Sequence, residues 1–132
     1  MYSSQLLDEA RSPFGAGTLA AATRRAHAAN PLCGDDVHVE VAEDGSAVTA
    51  VMHRTQGCTF TRASASLLAR TVPGLSLEEA RDLAATIRRD LPGSGPLPRA
   101  LAALDAVRVY PARLRCALLP WEALRSAVDE KA

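Results

Sequence analysis

Residues 37–53 restrict the fold more than any other stretch of the chain. Val37, Val39 and Val41 alternate with His38, Glu40 and Ala42. Glu43-Asp44-Gly45-Ser46 follows as a turn, and Ala47-Val48-Thr49-Ala50-Val51-Met52-His53 continues as a second strand. Successive side chains of a strand point to opposite faces, so this pattern predicts an antiparallel hairpin with one buried face. A third, short strand is expected from Arg54 into Gln56, where Gly57 lets the backbone turn sharply.

Helical signals surround the hairpin. Residues 4–10 can form a short helix, and Ser12-Pro13-Phe14-Gly15-Ala16-Gly17 reads as a loop. Thr18 can cap a second helix over Leu19–Ala28, which is rich in the best helix former and is closed by Pro31. Phe60–Val72 is helical, with small residues that permit close packing, and Pro73-Gly74 stops it. Ser76-Leu77-Glu78-Glu79 is a capping box, and Leu77, Ala80, Leu83, Ala84 and Ile87 recur at helical spacing towards Asp90. Leu91–Pro98 is a loop, Arg99–Asp105 one or two helical turns, and Val107–Pro111 extended or irregular. Ala112–Leu119 leads into a final helix, Trp121–Val128, packed through Trp121. The expected fold is α+β: a small antiparallel three-stranded sheet packed against several helices, in a single domain over residues 1–132.

Composition narrows the function. Aromatic residues are only 4%, so the core is built from Ala, Leu and Val. Lys+Arg and Asp+Glu both number 15, a balance that argues against nucleic-acid binding, which rests on phosphate neutralisation. No apolar run of about 18 residues could span a membrane, and Met1-Tyr2-Ser3-Ser4-Gln5 lacks the pattern of a signal peptide. The expected location is the cytoplasm. There, an odd set of three cysteines points to metal ligands or reactive thiols rather than disulfides, or else to inert buried thiols.

Each cysteine falls at an expected element boundary: Cys33 before the hairpin, Cys58 at a strand-to-helix turn, Cys116 near the start of a late helix. Asp35 lies two residues after Cys33, across Gly34, where both side chains can aim at one ion. Cys33, Asp35, Cys58 and Cys116 would then give three sulfurs and an oxygen, suiting zinc or an iron–sulfur cluster. No Cys-x-x-Cys pair is present, so spacing alone is a weak signal. His27, His38 and His53 are read as ordinary surface or interface residues, Asp36 as solvated, and Arg115 as facing surface or partner.

The segments Asn30-Pro31-Leu32-Cys33-Gly34-Asp35, Gly57-Cys58-Thr59 with Ala63-Ser64-Ala65-Ser66, and Arg113-Leu114-Arg115-Cys116-Ala117-Leu118 carry a resemblance. Together with Ser12-Pro13 and Gly15, they make the sequence resemble the IscU/NifU-type iron–sulfur assembly scaffolds over nearly its whole length. Within that family, the IscU type usually has His immediately before the third cysteine, where this chain has Arg115. The 58-residue interval from Cys58 to Cys116 is longer than in the IscU type, with the extra length around Leu91–Pro98. Both features resemble the SufU branch.

The resemblance implies a zinc site of Cys33, Asp35, Cys58 and Cys116, in a sulfurtransferase that accepts sulfur from a PLP-dependent cysteine desulfurase. A desulfurase histidine would replace one thiolate, and the freed cysteine, matching Cys33, would become the persulfide and serve downstream Fe–S assembly proteins. Arg113 matches a family arginine that could support thiolate charge or pair with Asp35, though a solvated surface role is equally open. The alternatives are a scaffold assembling a [2Fe–2S] cluster on the same ligands, with iron in place of zinc, and a purely structural zinc site.

Overall fold

A computed structural model describes residues 4–129. The signal-peptide reading of Met1–Gln5 rests partly on residues 1–3, which lie outside the described residues. The element order is α1 (Ser4–Arg11), β1 (Arg24–Asn30), β2 (Asp35–Asp44), β3 (Ala47–Gln56), α2 (Thr59–Thr71), α3 (Leu77–Asp90) and α4 (Leu114–Asp129). Successive 3₁₀ turns over Arg99–Val109 and Pro111–Arg113 join α3 to α4. The three strands form one antiparallel sheet in the order β1-β2-β3, so the expected α+β class is what the chain adopts.

The expected hairpin is present with its valines inward: Val37, Val39, Val41, Val48 and Val51 are all buried. Its two-residue loop is Gly45-Ser46, where Gly45 takes the positive φ of 65° that such tight turns require. The third strand is not the one the sequence suggested. Arg54–Gln56 simply prolongs β3, and the expected helix over Leu19–Ala28 is instead a loop followed by β1. Ala and Arg favour helix, but by only a fraction of a kcal/mol per residue, and tertiary contacts override that preference. Here β1 pairs along β2 from Arg24↔Val41 to Asn30↔Asp35. Its inner Ala26 and Ala28 pack against the core, and Arg24 binds the Glu43 carboxylate at 2.5 Å and the last carbonyls of α4.

The C-terminal region also departs from expectation. Arg99–Val109 stays in 3₁₀ turns instead of becoming extended after Asp105, burying Leu101, Leu104 and Val107. Pro120 does not separate two segments; α4 runs through it. Proline removes the helical hydrogen bond to the carbonyl four residues back, here that of Cys116, at a cost of about 3 kcal/mol. Burial of Leu119, Trp121, Ala123, Leu124, Ala127 and Val128 on one helix offsets that loss.

The helices cover one face of the sheet. α4 packs on β1 and β2, α2 on β3, α1 on α2, and α3 on α4. α2 is enclosed on several sides because Ala63, Ser64, Ala65, Ser66 and Ala69 are small, and all five are buried. Its buried hydroxyls are satisfied: Ser64 donates to the Ala117 carbonyl at 2.6 Å, and Ser66 accepts from the Phe14 amide at 2.8 Å. The expected capping box of α3 forms, Glu79 N donating to Ser76 Oγ at 3.0 Å and Ser76 N to Glu79 Oε1 at 2.9 Å. No helix among the described residues is long and apolar enough to cross a membrane.

His53 corrects the reading of the three histidines as surface residues: it is 1% exposed. Its Nε2 donates to the Phe14 carbonyl at 2.8 Å, which leaves Nδ1 to accept from Thr55 Oγ1 at 2.8 Å. Burial pulls its pKa below the ordinary 6.5, against the opposing pull of the Phe14 carbonyl. A histidine neutral in the fold resists a proton that the unfolded chain accepts. Its contribution to stability is therefore complete above 6.5 and is lost as pH falls through the lowered folded pKa. The stability gap between wild type and His53→Gln is expected to shrink between about pH 7.5 and pH 5 in urea melts. A gap that stays constant would rule the mechanism out.

Candidate metal centre

The register brings three chain ends to one edge of the molecule. Asn30↔Asp35 joins the end of β1 to the start of β2, and Asp36↔Gln56 sets the end of β3 beside them. Cys58 follows β3 as the N-cap residue of α2, with extended φ and ψ of −74° and 177°. Cys116 lies in the first turn of α4, held against α2 by the bond from Ser64 to the Ala117 carbonyl.

These placements put Asp35, Cys58 and Cys116 together, with one ligand atom of each lying within 4.8 Å of the others. Asp35 and Cys116 are buried and Cys58 half-buried. Gly57 makes the approach possible: a Cβ there would stand 2.8 Å from Asp35 Oδ1 and 2.9 Å from Thr61 Cβ. Cys33 is not part of this group. It is exposed, in the turn between β1 and β2, where Gly34 has a φ of 73°. Asn30 shapes that turn: its Oδ1 accepts from the Leu32 amide at 3.2 Å and its Nδ2 reaches Cys33 Sγ at 3.6 Å.

Thr61 ties the group together and was missed in the sequence. Its hydroxyl donates to Asp35 Oδ2 at 3.0 Å and lies 3.5 Å from Cys58 Sγ. The signal available was position: the third residue of a helix faces the side chain of its N-cap residue, and Thr61 stands three after Cys58.

The two inner thiols differ in acidity. Burial pushes the Cys58 thiol up, but the Thr61 hydroxyl, the Thr61 and Phe60 amides at the start of α2, and Cys116 together bring it below its ordinary value. Burial, then hydrogen bonding with Asp35 and with Cys58, pushes the Cys116 thiol up to about 12. Arg113, from the 3₁₀ turn before α4, has its pKa raised first by a hydrogen bond with Cys116 and then by the charges of Cys58, Cys116 and Cys33. The thiols thus favour its positive charge, while the residue itself is exposed. Arg115 is exposed.

The donor set fits a thiophilic divalent cation. A carboxylate and a thiol pair withdrawn from water are costly as anions, and zinc takes thiolate and carboxylate ligands together. Asp35, Cys58 and Cys116 would hold such an ion, and the glycine-relieved Cys33 turn could supply a fourth donor.

A family model described as the NifU-like N terminal domain matches residues 1–130. The chain is 29% identical to the iron–sulfur cluster assembly scaffold protein IscU of Streptococcus pyogenes serotype M1, covering 100% of this chain and 85% of that one. It is 29% identical to the zinc-dependent sulfurtransferase SufU of Bacillus subtilis, over 77% of this chain and 72% of that protein. It is 30% identical to IscU of Thermotoga maritima, over 98% and 94%. The crystal structure of a NifU-like N-terminal protein from Brucella abortus superimposes with a TM-score of 0.87 at 29% identity, covering 98% of this chain and 95% of that one. By sequence and by fold, the chain belongs to the NifU-like N-terminal domain family of iron–sulfur cluster assembly proteins.

Proposed function

We propose that this protein is a SufU-type sulfur acceptor, which takes persulfide sulfur from a PLP-dependent cysteine desulfurase onto Cys33 and holds zinc through Cys33, Asp35, Cys58 and Cys116. The observation that carries the reading is the unequal placement of the thiols. Cys58 and Cys116 converge with Asp35 at the buried end of the sheet, while Cys33 stands exposed in a turn. Zinc bound there would keep its thiols deprotonated near neutral pH and, having no redox chemistry, would leave a persulfide unoxidised.

In the transfer, the Cys33 thiolate attacks the outer sulfur of the donor's persulfide. A sulfur–sulfur bond forms on Cys33 as the donor's bond breaks, and the donor cysteine leaves as thiolate. Asn30 Nδ2, 3.6 Å from Cys33 Sγ, supplies a polar contact to that sulfur, and the positive charge of Arg113 favours its thiolate form from further off. Leu32, beside Cys33, is 84% exposed and offers an apolar contact to an incoming protein. Arg115, in place of the histidine of the IscU type, favours the acceptor over the scaffold.

Incubation with the desulfurase and cysteine is expected to add one sulfur atom to the intact mass, and Cys33→Ala to abolish that gain. Full transfer to Cys33→Ala would sink the proposal. The scaffold reading keeps one specific support, since two of the relatives above carry scaffold names. Anaerobic reconstitution separates the two: a coloured, Mössbauer-active [2Fe–2S] species favours the scaffold, and a colourless protein that retains zinc favours the acceptor.

A further inference from the structure

Two histidines and an aspartate meet on the face of the sheet that the helices leave uncovered. Asp36 and His38 are two residues apart on β2 and so share its outer face. His27 pairs with His38 in the β1–β2 register, and Asp36 pairs with Ala29, which makes it the diagonal neighbour of His27. The two imidazole rings are stacked, with centroids 4.2 Å apart and planes 6° from parallel. Both Nε2 atoms approach the same carboxylate oxygen, Asp36 Oδ1, His27 at 2.6 Å and His38 at 3.4 Å. One ligand atom from each residue lies within 4.8 Å of the others. All three lie at the surface, as the sequence suggested, but they are engaged with one another.

We propose that His27, Asp36 and His38 form a second metal site, separate from the thiols, for a divalent first-row transition ion of the zinc, nickel or copper(II) kind. Two imidazole nitrogens and one carboxylate oxygen suit such ions, whereas calcium and magnesium take all-oxygen shells. Strand pairing fixes the backbone of all three residues and stacking fixes the rings, so little ordering remains to be done on binding. The surrounding charge is mixed: Arg54 pairs with His38 across β2–β3, while Arg25 is engaged by Glu40 at 2.9 Å. The three side chains remain 39–49% exposed, which leaves room for water or a partner's ligand to complete the shell. The site owes nothing to the thiol cluster, because Asp35 and Asp36 point to opposite faces of β2.

Equilibrium dialysis of the full chain against zinc tests it. Wild type is expected to bind two zinc ions, and His38→Ala and Asp36→Asn one each, with the thiolate-to-cobalt absorption band of the cysteine site unchanged on cobalt substitution. Imidazole resonances of wild type give a reading free of any folding defect: the second equivalent of zinc should shift His27 and His38 but leave the buried His53 in place. A single zinc per wild-type chain bound only at the thiols, or a second zinc that leaves both resonances unmoved or survives His38→Ala, would overturn the proposal. If the thiols hold no zinc, a single ion lost on His38→Ala still supports this site and counts instead against the acceptor reading.

Discussion

Trp121→Ala is expected to lower the unfolding free energy by about 3–5 kcal/mol, a large part of the stability of a small domain. Trp121 is the largest fully buried side chain among the described residues, on the stretch of α4 just beyond the candidate metal centre. Its Nε1 donates to Ser64 Oγ at 3.0 Å, and Ser64 in turn donates to the Ala117 carbonyl at 2.6 Å. The indole therefore both fills the core and orients the hydroxyl that holds α2 against the first turn of α4, where Cys116 sits. Trp121→Phe keeps most of the volume and loses one donor, so its cost should be nearer 1–2 kcal/mol. Urea denaturation of both variants provides the measurement. Equal losses would mean that the hydrogen bond, and not the packing, carries the effect, and no loss in Trp121→Ala would remove the role given to this residue.

The second large effect is expected at Gly57, on metal binding rather than on folding. Its φ is not in the left-handed region, so alanine carries no backbone penalty. The added methyl would instead stand 2.8 Å from Asp35 Oδ1 and 2.9 Å from Thr61 Cβ, closer than such atoms approach. The carboxylate must shift away from Cys58 and Cys116, or α2 must move. Gly57→Ala should weaken zinc binding by about 10–100-fold, the range seen when the support of a metal ligand is disturbed. It should destabilise the fold by only about 1–3 kcal/mol, as modest overpacking does. Competition with a chromophoric chelator measures the first quantity and a urea melt the second. An unchanged zinc affinity would remove Asp35 from the ligand set.

Much of this architecture was legible because it is local. The Val37–Val41 alternation, the Gly45 turn and the Ser76–Glu79 box are each decided by residues within a few positions of one another, and each formed as expected. The elements that departed from expectation are those where local preference and packing disagree. Arg24–Asn30 has the composition of a helix, yet β2 offers it a ladder of partners, and the core accepts its small inner alanines. Pro120 reads as a break, yet the apolar face of α4 is worth more buried as one helix than as two.

The candidate centre divides in the same way. The sequence by itself determined the donor types, their placement at element boundaries and the family, because these depend only on residue identity and order. Tertiary structure alone decided which donors meet. Asp35 and Cys58 come together because the β2–β3 register and the absent side chain of Gly57 bring them there, and Cys116 because Ser64 and Trp121 lock α4 onto α2. The β1–β2 register stacked His27 on His38 and left Cys33 exposed in the turn between those strands. Such proximities arise from pairings between distant parts of the chain, whose energies belong to the packed whole and not to any short segment of it.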